Sequence, residues 1–403
     1  MKILFFSYTF APNVGGIESV SAILAEKFAE AGHEVELVTE TAEKENVQRS
    51  IPDRNYRITR RPSFLKLIRL LSWSKLVFQN NISLRSLIPA LLMQKRVIVV
   101  HQTWLRHVRG GIGWNNRVKR MLLRFVTNVA ISEATREDLW PADDPPARQF
   151  QIRVIGNPYH DGVFRLHPEI ARNKALVFVG RLVSDKGVDV LLQALNVLPS
   201  LEKNVQPASA VSASRTGSSR GEVGLRGGER DSESFRERAA QRPMAEEGRI
   251  EHHNRWRPDL TIIGAGPEEE RLRRLTRELG LEGQVTFADE KSAEELAATL
   301  NRHQIMVVPS RWPEPFGIVA LEGIACGCVV VGSRDGGLRE AIGPCGVTFK
   351  NGDERELADC LKTLLLDPQR RAVLQKDASA HLMKFRAEGV ANAYLQLIKE
   401  ISH

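Results

Sequence analysis

Two acids in Val308-Pro-Ser-Arg-Trp-Pro-Glu-Pro-Phe-Gly-Ile-Val-Ala-Leu-Glu322 carry the clearest chemical signal in the chain. Pro313 and Pro315 keep Glu314 out of a helix. From Phe316 onward the segment can be helical, so the N–H groups of Gly317, Ile318 and Val319 stand unpaired at its start. Such amides can hold an anion, and a carboxylate on either side can accept hydrogen bonds from adjacent sugar hydroxyls. The plainer account makes Glu314 an exposed loop acid and Glu322 a surface helix residue. Glu322, however, lies in an apolar run from Ile318 to Cys326, where an unpaired carboxylate is costly. That context favours a ligand.

A second group is cationic. Phe178-Val-Gly-Arg-Leu-Val-Ser-Asp-Lys-Gly-Val-Asp189 places Arg181 and Lys186 in a strand-to-helix loop. A guanidinium grips phosphate oxygens bidentately and an ammonium adds a compact charge, which together suit a diphosphate. Ordinary surface basicity is the alternative, weakened because both cations fall on the sheet edge where ligands bind. Leu260-Thr-Ile-Ile-Gly-Ala-Gly-Pro-Glu-Glu-Glu270 opens like a dinucleotide fingerprint, but Glu269 stands where the third small residue is required and Pro267 is badly placed. A nicotinamide cofactor is therefore excluded on spacing, and Gly264 is left in a tight turn beside a nucleotide. In Pro12-Asn-Val-Gly-Gly-Ile-Glu18, Gly15 and Gly16 let a ligand approach the backbone at the mouth of the first helix, although a flexible turn would read the same.

Positioning these groups requires strands that end where helices begin. Apolar runs at Ile3–Ser7, His33–Thr39, Leu76–Phe78, Val97–Val100 and Val129–Ile131 alternate with helical patterns, the first of them Ile17–Ala31. The rhythm resumes at Ala175–Val179, Leu260–Ile263, Val285–Phe287, Ile305–Val308 and Val329–Val331. This alternation predicts an α/β protein of two doubly wound, Rossmann-like domains, 1–165 and 166–380, with a cleft between them. Val154–Pro168, with its glycines and prolines, suits the hinge, and residues 381–403 are expected to form a helix returning to the first domain. Residues 200–257 break the pattern: rich in Ser, Gly, Arg and Glu, they read as a disordered insertion. Its place between a helix and the next strand puts it at the sheet edge opposite the ligand.

Taken together, these motifs resemble the retaining family-4 glycosyltransferases of GT-B fold. The likeness covers nearly the whole chain outside 200–257. It rests on Glu314 to Glu322, on the Phe178 and Leu260 segments, on Gly336-Gly337-Leu338-Arg339-Glu340, and on Gly15-Gly16-Ile17-Glu18 and Val129-Ala-Ile-Ser-Glu-Ala-Thr135 in the first domain. The resemblance implies hexosyl transfer from a nucleotide-diphosphate sugar to a hydroxyl of a glycan or lipid-linked acceptor, with retention. Arg181, Lys186 and the amides of Gly317, Ile318 and Val319 would neutralise the diphosphate. Glu322 would bind the ribose, Glu314 the hexose, and Gly15 and Gly16 would close the cleft. His101, which follows the strand Val97–Val100, is similar to the family's histidine near the sugar; on position alone it reads equally as a core histidine. Departures from the family pattern are Phe78-Gln79-Asn80-Asn81, Ala288 and Gln304. Acids with metal-site spacing are lacking, so transfer is expected to need no metal or other cofactor.

Composition bounds the rest. The 403 residues carry 57 Lys and Arg against 49 Asp and Glu, a net charge of +8. From Arg54 to Ser132 there is no acid, and Arg54 to Arg124 holds 16 cations. This segment suggests peripheral contact with an anionic membrane, the more so because Phe64, Leu67, Ile68, Leu71 and Trp73 could form an apolar helix face beside Lys66, Arg69 and Lys75. A solvated basic surface is the alternative for the charge, and a core helix carrying a few surface cations would give the same pattern over 63–75. Nothing resembles a nucleic-acid module. The opening MKILFFSYTFAPNVGG reads as a strand rather than a signal peptide, and no run of 18 apolar residues exists to span a membrane. Cys326, Cys328, Cys345 and Cys360 suit buried thiols in a reducing compartment, so a cytoplasmic enzyme is expected, and the basic segment suggests the inner face of the cytoplasmic membrane as its place. Two other functions fit less: a non-catalytic polyanion binder on the same scaffold, and an acceptor-independent nucleotide-sugar isomerase or hydrolase.

Overall fold

The structure, a computed structural model, describes residues 1–13, 15–43, 55–105, 114–139, 152–198, 201–202 and 255–402. Arg54, Arg106, His107 and Arg109 of the basic segment, and most of the insertion, lie outside these residues.

Seven strands form the first sheet: β1 (Lys2–Ser7), β2 (Glu34–Thr39), β3 (Arg57–Arg60), β4 (Leu76–Asn80), β5 (Arg96–His101), β6 (Thr127–Ala130) and β7 (Arg153–Val154). Their order is β3-β2-β1-β4-β5-β6-β7 and every pairing is parallel. Helices α1 (Gly16–Glu30), α2 (Phe64–Trp73), α3 (Leu84–Leu92), α4 (Trp114–Leu122) and α5 (Glu133–Leu139) connect them. The central strands are apolar almost throughout because both faces are covered. Ile3 and Phe5 of β1 join one buried cluster, and Leu4 and Phe6 the other.

In the second sheet, β8 (Lys174–Val179), β11 (Leu260–Ile263), β12 (Val285–Ala288), β13 (His303–Val308), β14 (Val329–Ser333) and β15 (Gly346–Phe349) run in the order β12-β11-β8-β13-β14-β15, again all parallel. This is the two-sheet α/β architecture expected of a GT-B protein. Between them in sequence, β9 (Leu201–Glu202) and β10 (Arg255–Trp256) make a separate antiparallel pair.

The chain crosses between the sheets twice, and the two crossings pack together. Tyr159 N–H donates to Phe385 O at 3.2 Å, and a Cβ on Gly156 would lie 2.5 Å from the Phe385 ring. Beyond the second crossing, helix Ala387–Ser402 lies on the first sheet's side: Tyr394 meets Phe78 edge-on at 5.3 Å, Arg96 donates to Ser402 O, and Arg153 pairs with Glu400. Fully burying an aromatic such as Tyr394 contributes roughly 1.5–3 kcal/mol.

Three expectations need correction. Periodicity gave no signal for β3 or β7, because four and two residues are too short to show alternation. The segment 200–257 was expected to be patternless, yet its two ends pair as β9 and β10. And α2 has no single interfacial face. Leu67 and Leu71 point into the core, while Phe64 and Leu65 are 61% and 71% exposed.

Candidate functional site

The C-terminal edge of the second sheet gathers the predicted acids and cations. Gly180 follows β8 with φ of 157°, and Gly187, at φ 65°, starts helix Val188–Val197. A Cβ on Gly187 would lie 2.0 Å from Pro309 O, so only glycine lets the Lys186 loop press against the loop after β13. That contact sets the central pair: Lys186 Nζ donates to Glu314 Oε1 at 2.5 Å, and Ser310 Oγ donates to the same oxygen at 2.6 Å. Glu314 is almost fully buried. Its Oε2 has no hydrogen-bond partner among the described residues, which leaves that atom to accept from a ligand hydroxyl.

Next to this pair, Asp189 binds Arg311 at 3.0 Å and Arg271 at 3.4 Å. Burial works against ionisation of Asp189, but the Arg311 guanidinium, with Arg271, holds its carboxyl below the usual range. Arg181 is exposed and, among the described residues, forms no ion pair. Among those residues no counter-ion meets it at this edge of the sheet.

The helix expected from Phe316 begins instead at Ile318, since Gly317 takes φ of 100° and acts as its N-cap. Phe316 is thereby released to meet Phe385 edge to face at the crossover, 5.5 Å between ring centres. The amides of Gly317, Ile318 and Val319 have no acceptor among the described residues, so the positive end of helix Ile318–Ala325 is left open. From the first sheet, Gly16 meets it: a Cβ there would lie 3.3 Å from Ile318 Cδ1. Gly15 is the N-cap of α1, and a Cβ on it would meet the Glu18 carboxylate at 2.6 Å.

Glu322 is half-buried on helix Ile318–Ala325 and has no hydrogen-bond partner among the described residues. Burial pushes its carboxyl up to about 7. Gly264, with φ 135°, has a packing explanation: a Cβ would sit 2.1 Å from Gly180 O, which ties the β11 turn to the β8 turn.

His101 ends β5, fully buried, with Nε2 3.0 Å from Asn128 Oδ1. Because Asn128 spends its own N–H groups on Leu123 O and Val126 O, its oxygen must accept and the imidazole must donate from Nε2. Desolvation lowers the ring to about 4, so it is neutral at physiological pH. No hydrogen bond brings His101 to Lys186 or Glu314.

Several residues that touch the site had no role assigned from sequence, although Ser132 and Glu340 lie within the quoted motifs Val129–Thr135 and Gly336–Glu340. Trp104 Nε1 donates to Pro313 O at 2.8 Å and Ser132 Oγ donates to Pro315 O at 2.8 Å, both from the first sheet to the flanks of Glu314. In the other direction Glu340 accepts from the amides of Glu133 and Ala134, at 2.9 Å and 3.4 Å, at the start of α5. Gln102 exchanges two hydrogen bonds with Asn157 of the crossover and donates to Asn80. The signal available for Ser132 was its place before a helical run, as an N-cap type; Trp104 offered only its proximity to His101.

Among the described residues no three His, Cys, Asp or Glu side chains gather as a metal site, and no helix is long and apolar enough to cross a membrane.

With this geometry in hand, the chain can be set beside known proteins. A model of glycosyltransferase family 4 matches residues 14–160, and a model of glycosyl transferases group 1 matches residues 251–381. Over 141 residues it is 39% identical to the D-inositol 3-phosphate glycosyltransferase of Corynebacterium jeikeium, covering 34% of this chain and 33% of that protein. The enzyme of the same name from Acidothermus cellulolyticus is 37% identical over 153 residues, 35% of this chain and 34% of the relative. The alignments thus span about a third of these relatives' length. In fold, the chain is similar to Anabaena HepE solved with UDP and glucose, at TM-score 0.72 and 18% identity over 99% of this chain and 100% of that one. It is likewise similar to sucrose-phosphate synthase from Thermosynechococcus elongatus, at TM-score 0.71 and 19% identity over 99% and 98%. Acids, cations and helix terminus on one sheet edge, two all-parallel sheets, and family models matching each half place this chain among the family-4 glycosyltransferases of GT-B fold.

Proposed function

We propose that the protein is a retaining glycosyltransferase that moves a hexosyl unit from a nucleotide-diphosphate sugar to a hydroxyl of a glycan or lipid-linked acceptor. The observation that carries this reading is the Lys186–Glu314 pair, set beside an uncompensated Arg181 and the open amides of Gly317, Ile318 and Val319. In the reading, the diphosphate is held by Arg181, Lys186 and that helix terminus. Charge grows on the diphosphate as the glycosidic bond breaks, so these groups stabilise the transition state more than the ground state. Glu314 Oε2 accepts from a hexose hydroxyl and Glu322 from the ribose. No nucleophile is required if the acceptor attacks the same face of an oxocarbenium-like sugar while a donor phosphate oxygen takes its proton. No metal is assigned a part. HepE with UDP and glucose, and the inositol-phosphate glycosyltransferases, support a nucleotide donor and a hydroxyl acceptor.

The test is a thermal shift against UDP-, GDP-, ADP- and CMP-sugars and the free nucleotides, since a ligand that binds only the folded state raises its stability. One nucleotide series should raise the melting temperature. No shift with any of them overturns the reading.

Peripheral contact with an anionic membrane belongs to the same proposal. Phe64 and Ile68 of α2 and Leu84, Ile88, Leu92 and Met93 of α3 line an open apolar groove, with Leu92 80% exposed. Lys66 and Arg69 are exposed on α2, within the acid-free stretch. Exposed apolar side chains with exposed cations on the same helix suit the boundary between headgroups and acyl chains. Binding to phosphatidylglycerol vesicles should exceed binding to phosphatidylcholine vesicles and fall in a Leu65→Glu/Leu92→Glu variant. Equal affinity for both vesicle types, or an unaffected variant, refutes the contact.

A further inference from the structure

The loop that carries Glu314 is held from the other domain. In Pro313-Glu314-Pro315 the two prolines have no N–H, so the segment can be gripped chiefly through its carbonyls. All three are taken. Pro313 O accepts from Trp104 Nε1 at 2.8 Å, Glu314 O from Gly337 N at 2.7 Å, and Pro315 O from Ser132 Oγ at 2.8 Å. The first and third donors belong to the first sheet, in the loops after β5 and β6.

These donors are themselves fixed. Ser132 is fully buried, and its hydroxyl accepts from Thr135 N at 3.1 Å, which aims its proton at Pro315 O. Gly337 must be glycine, because a Cβ there would lie 2.1 Å from Pro315 O and 2.6 Å from Ser132 Oγ. Glu340 closes the junction from the second sheet by accepting the amides of Glu133 and Ala134. The Arg181 and Lys186 loop receives no hydrogen bond from Trp104 or Ser132.

We infer that Trp104 and Ser132 are positioning residues for Glu314, so that the sugar subsite is held by hydrogen bonds from both domains while the cations and helix amides of the diphosphate subsite all come from the second. The inference rests on the donor-site reading given above. It implies a division of labour: loss of either hydrogen bond misplaces Glu314 toward the hexose and leaves the grip on the diphosphate intact.

Trp104→Phe keeps an aromatic ring and removes the N–H; Ser132→Ala removes one hydroxyl. Each should be compared with wild type in two assays across UDP-glucose, GDP-mannose and ADP-glucose. One is affinity for the matching nucleoside diphosphate by calorimetry, and the other is kcat and KM for release of that diphosphate from the sugar nucleotide. The expected result is diphosphate affinity and KM within threefold of wild type, with kcat at least tenfold lower in both variants. Melting temperatures report folding, and Ser132→Ala, the smaller change, decides the case if Trp104→Phe is unstable. Unchanged kcat in Ser132→Ala overturns the inference, as does an equal loss of diphosphate affinity and kcat. Failure of the wild type to bind any of the three nucleotides instead defeats the donor-site reading, and the positioning role falls with it.

Discussion

Lys186 and Glu314 come from loops 128 positions apart, and their side chains meet at 2.5 Å where the two loops touch. The ammonium therefore already stands beside the carboxylate assigned to the hexose, and a diphosphate arriving at Lys186 brings its sugar to Glu314. Replacing Lys186 with Ala removes this link. Glu314 keeps Ser310 as a partner, so the stability loss should be no more than about 1–3 kcal/mol, the usual cost of under-satisfying a buried polar group. Nucleoside diphosphate affinity should fall at least tenfold. A calorimetric titration matching wild type would remove Lys186 from the diphosphate site.

Glu322 should give nucleotide binding a pH dependence near neutrality. Its carboxyl is pushed up to about 7 by burial, and only the ionised form accepts from both ribose hydroxyls without donating. Affinity should rise from pH 6 to pH 8 in wild type and stay flat and weaker in Glu322→Gln. Stability runs the other way. A carboxyl whose folded value lies above its unfolded value binds more protons when folded, so its contribution is complete below about 4.5 and is lost as pH rises through about 7. Glu322→Gln should accordingly melt higher than wild type at pH 8 and close to it at pH 5. A variant with unchanged affinity at every pH would falsify the ribose role.

Much of this arrangement was legible before any coordinates. Long buried strands such as β1 and β5 announce themselves as apolar runs, and the glycines and prolines around 156–168 and 313–317 mark turns through local chemistry alone. Glu322 stood out because an acid amid Leu321 and Ile324 conflicts with its surroundings. What stayed hidden depends on tertiary approach. Trp104 and Ser132 act on carbonyls roughly two hundred residues away, and a carbonyl acceptor leaves no mark in side-chain sequence. The Gln102, Asn80 and Asn157 network is equally silent, since buried amides look like surface ones until their partners are known. On α2 the interfacial and core-helix readings share one pattern, and packing alone decides between them: Leu67 and Leu71 turn inward as in a core helix, while Phe64 and Leu65 stay exposed.

Glycine positions at the domain junction offer a test of close packing. Gly337 has φ of −83°, which any residue can adopt, so its requirement is spatial: a Cβ would meet Pro315 O at 2.1 Å and Ser132 Oγ at 2.6 Å. Gly337→Ala should lower stability by about 1–3 kcal/mol, as overpacking does. Gly283 has nothing within 4 Å of its would-be Cβ and no left-handed backbone, so Gly283→Ala should be close to neutral. Chemical denaturation of the two variants checks the contrast. Equal midpoints would mean that the junction yields more readily than its contacts imply.

The segment between β9 and β10 can be tested by replacement. Glu202 pairs with Arg255 and Leu201 with Trp256 in antiparallel register, so residues 203–254 leave and return at adjacent points. A two-residue Asn-Gly turn has the twist to close such a pair. Helix Val188–Val197 precedes the pair and β11 follows at Leu260, and a helix-to-strand connection reaches a parallel sheet at the edge opposite its ligands. A protein carrying Asn-Gly in place of 203–254 should melt within a few degrees of wild type and respond to the same nucleotide in the thermal-shift panel. A folded replacement that no longer responds would make the segment part of the donor site, and the sheet-edge argument would be wrong.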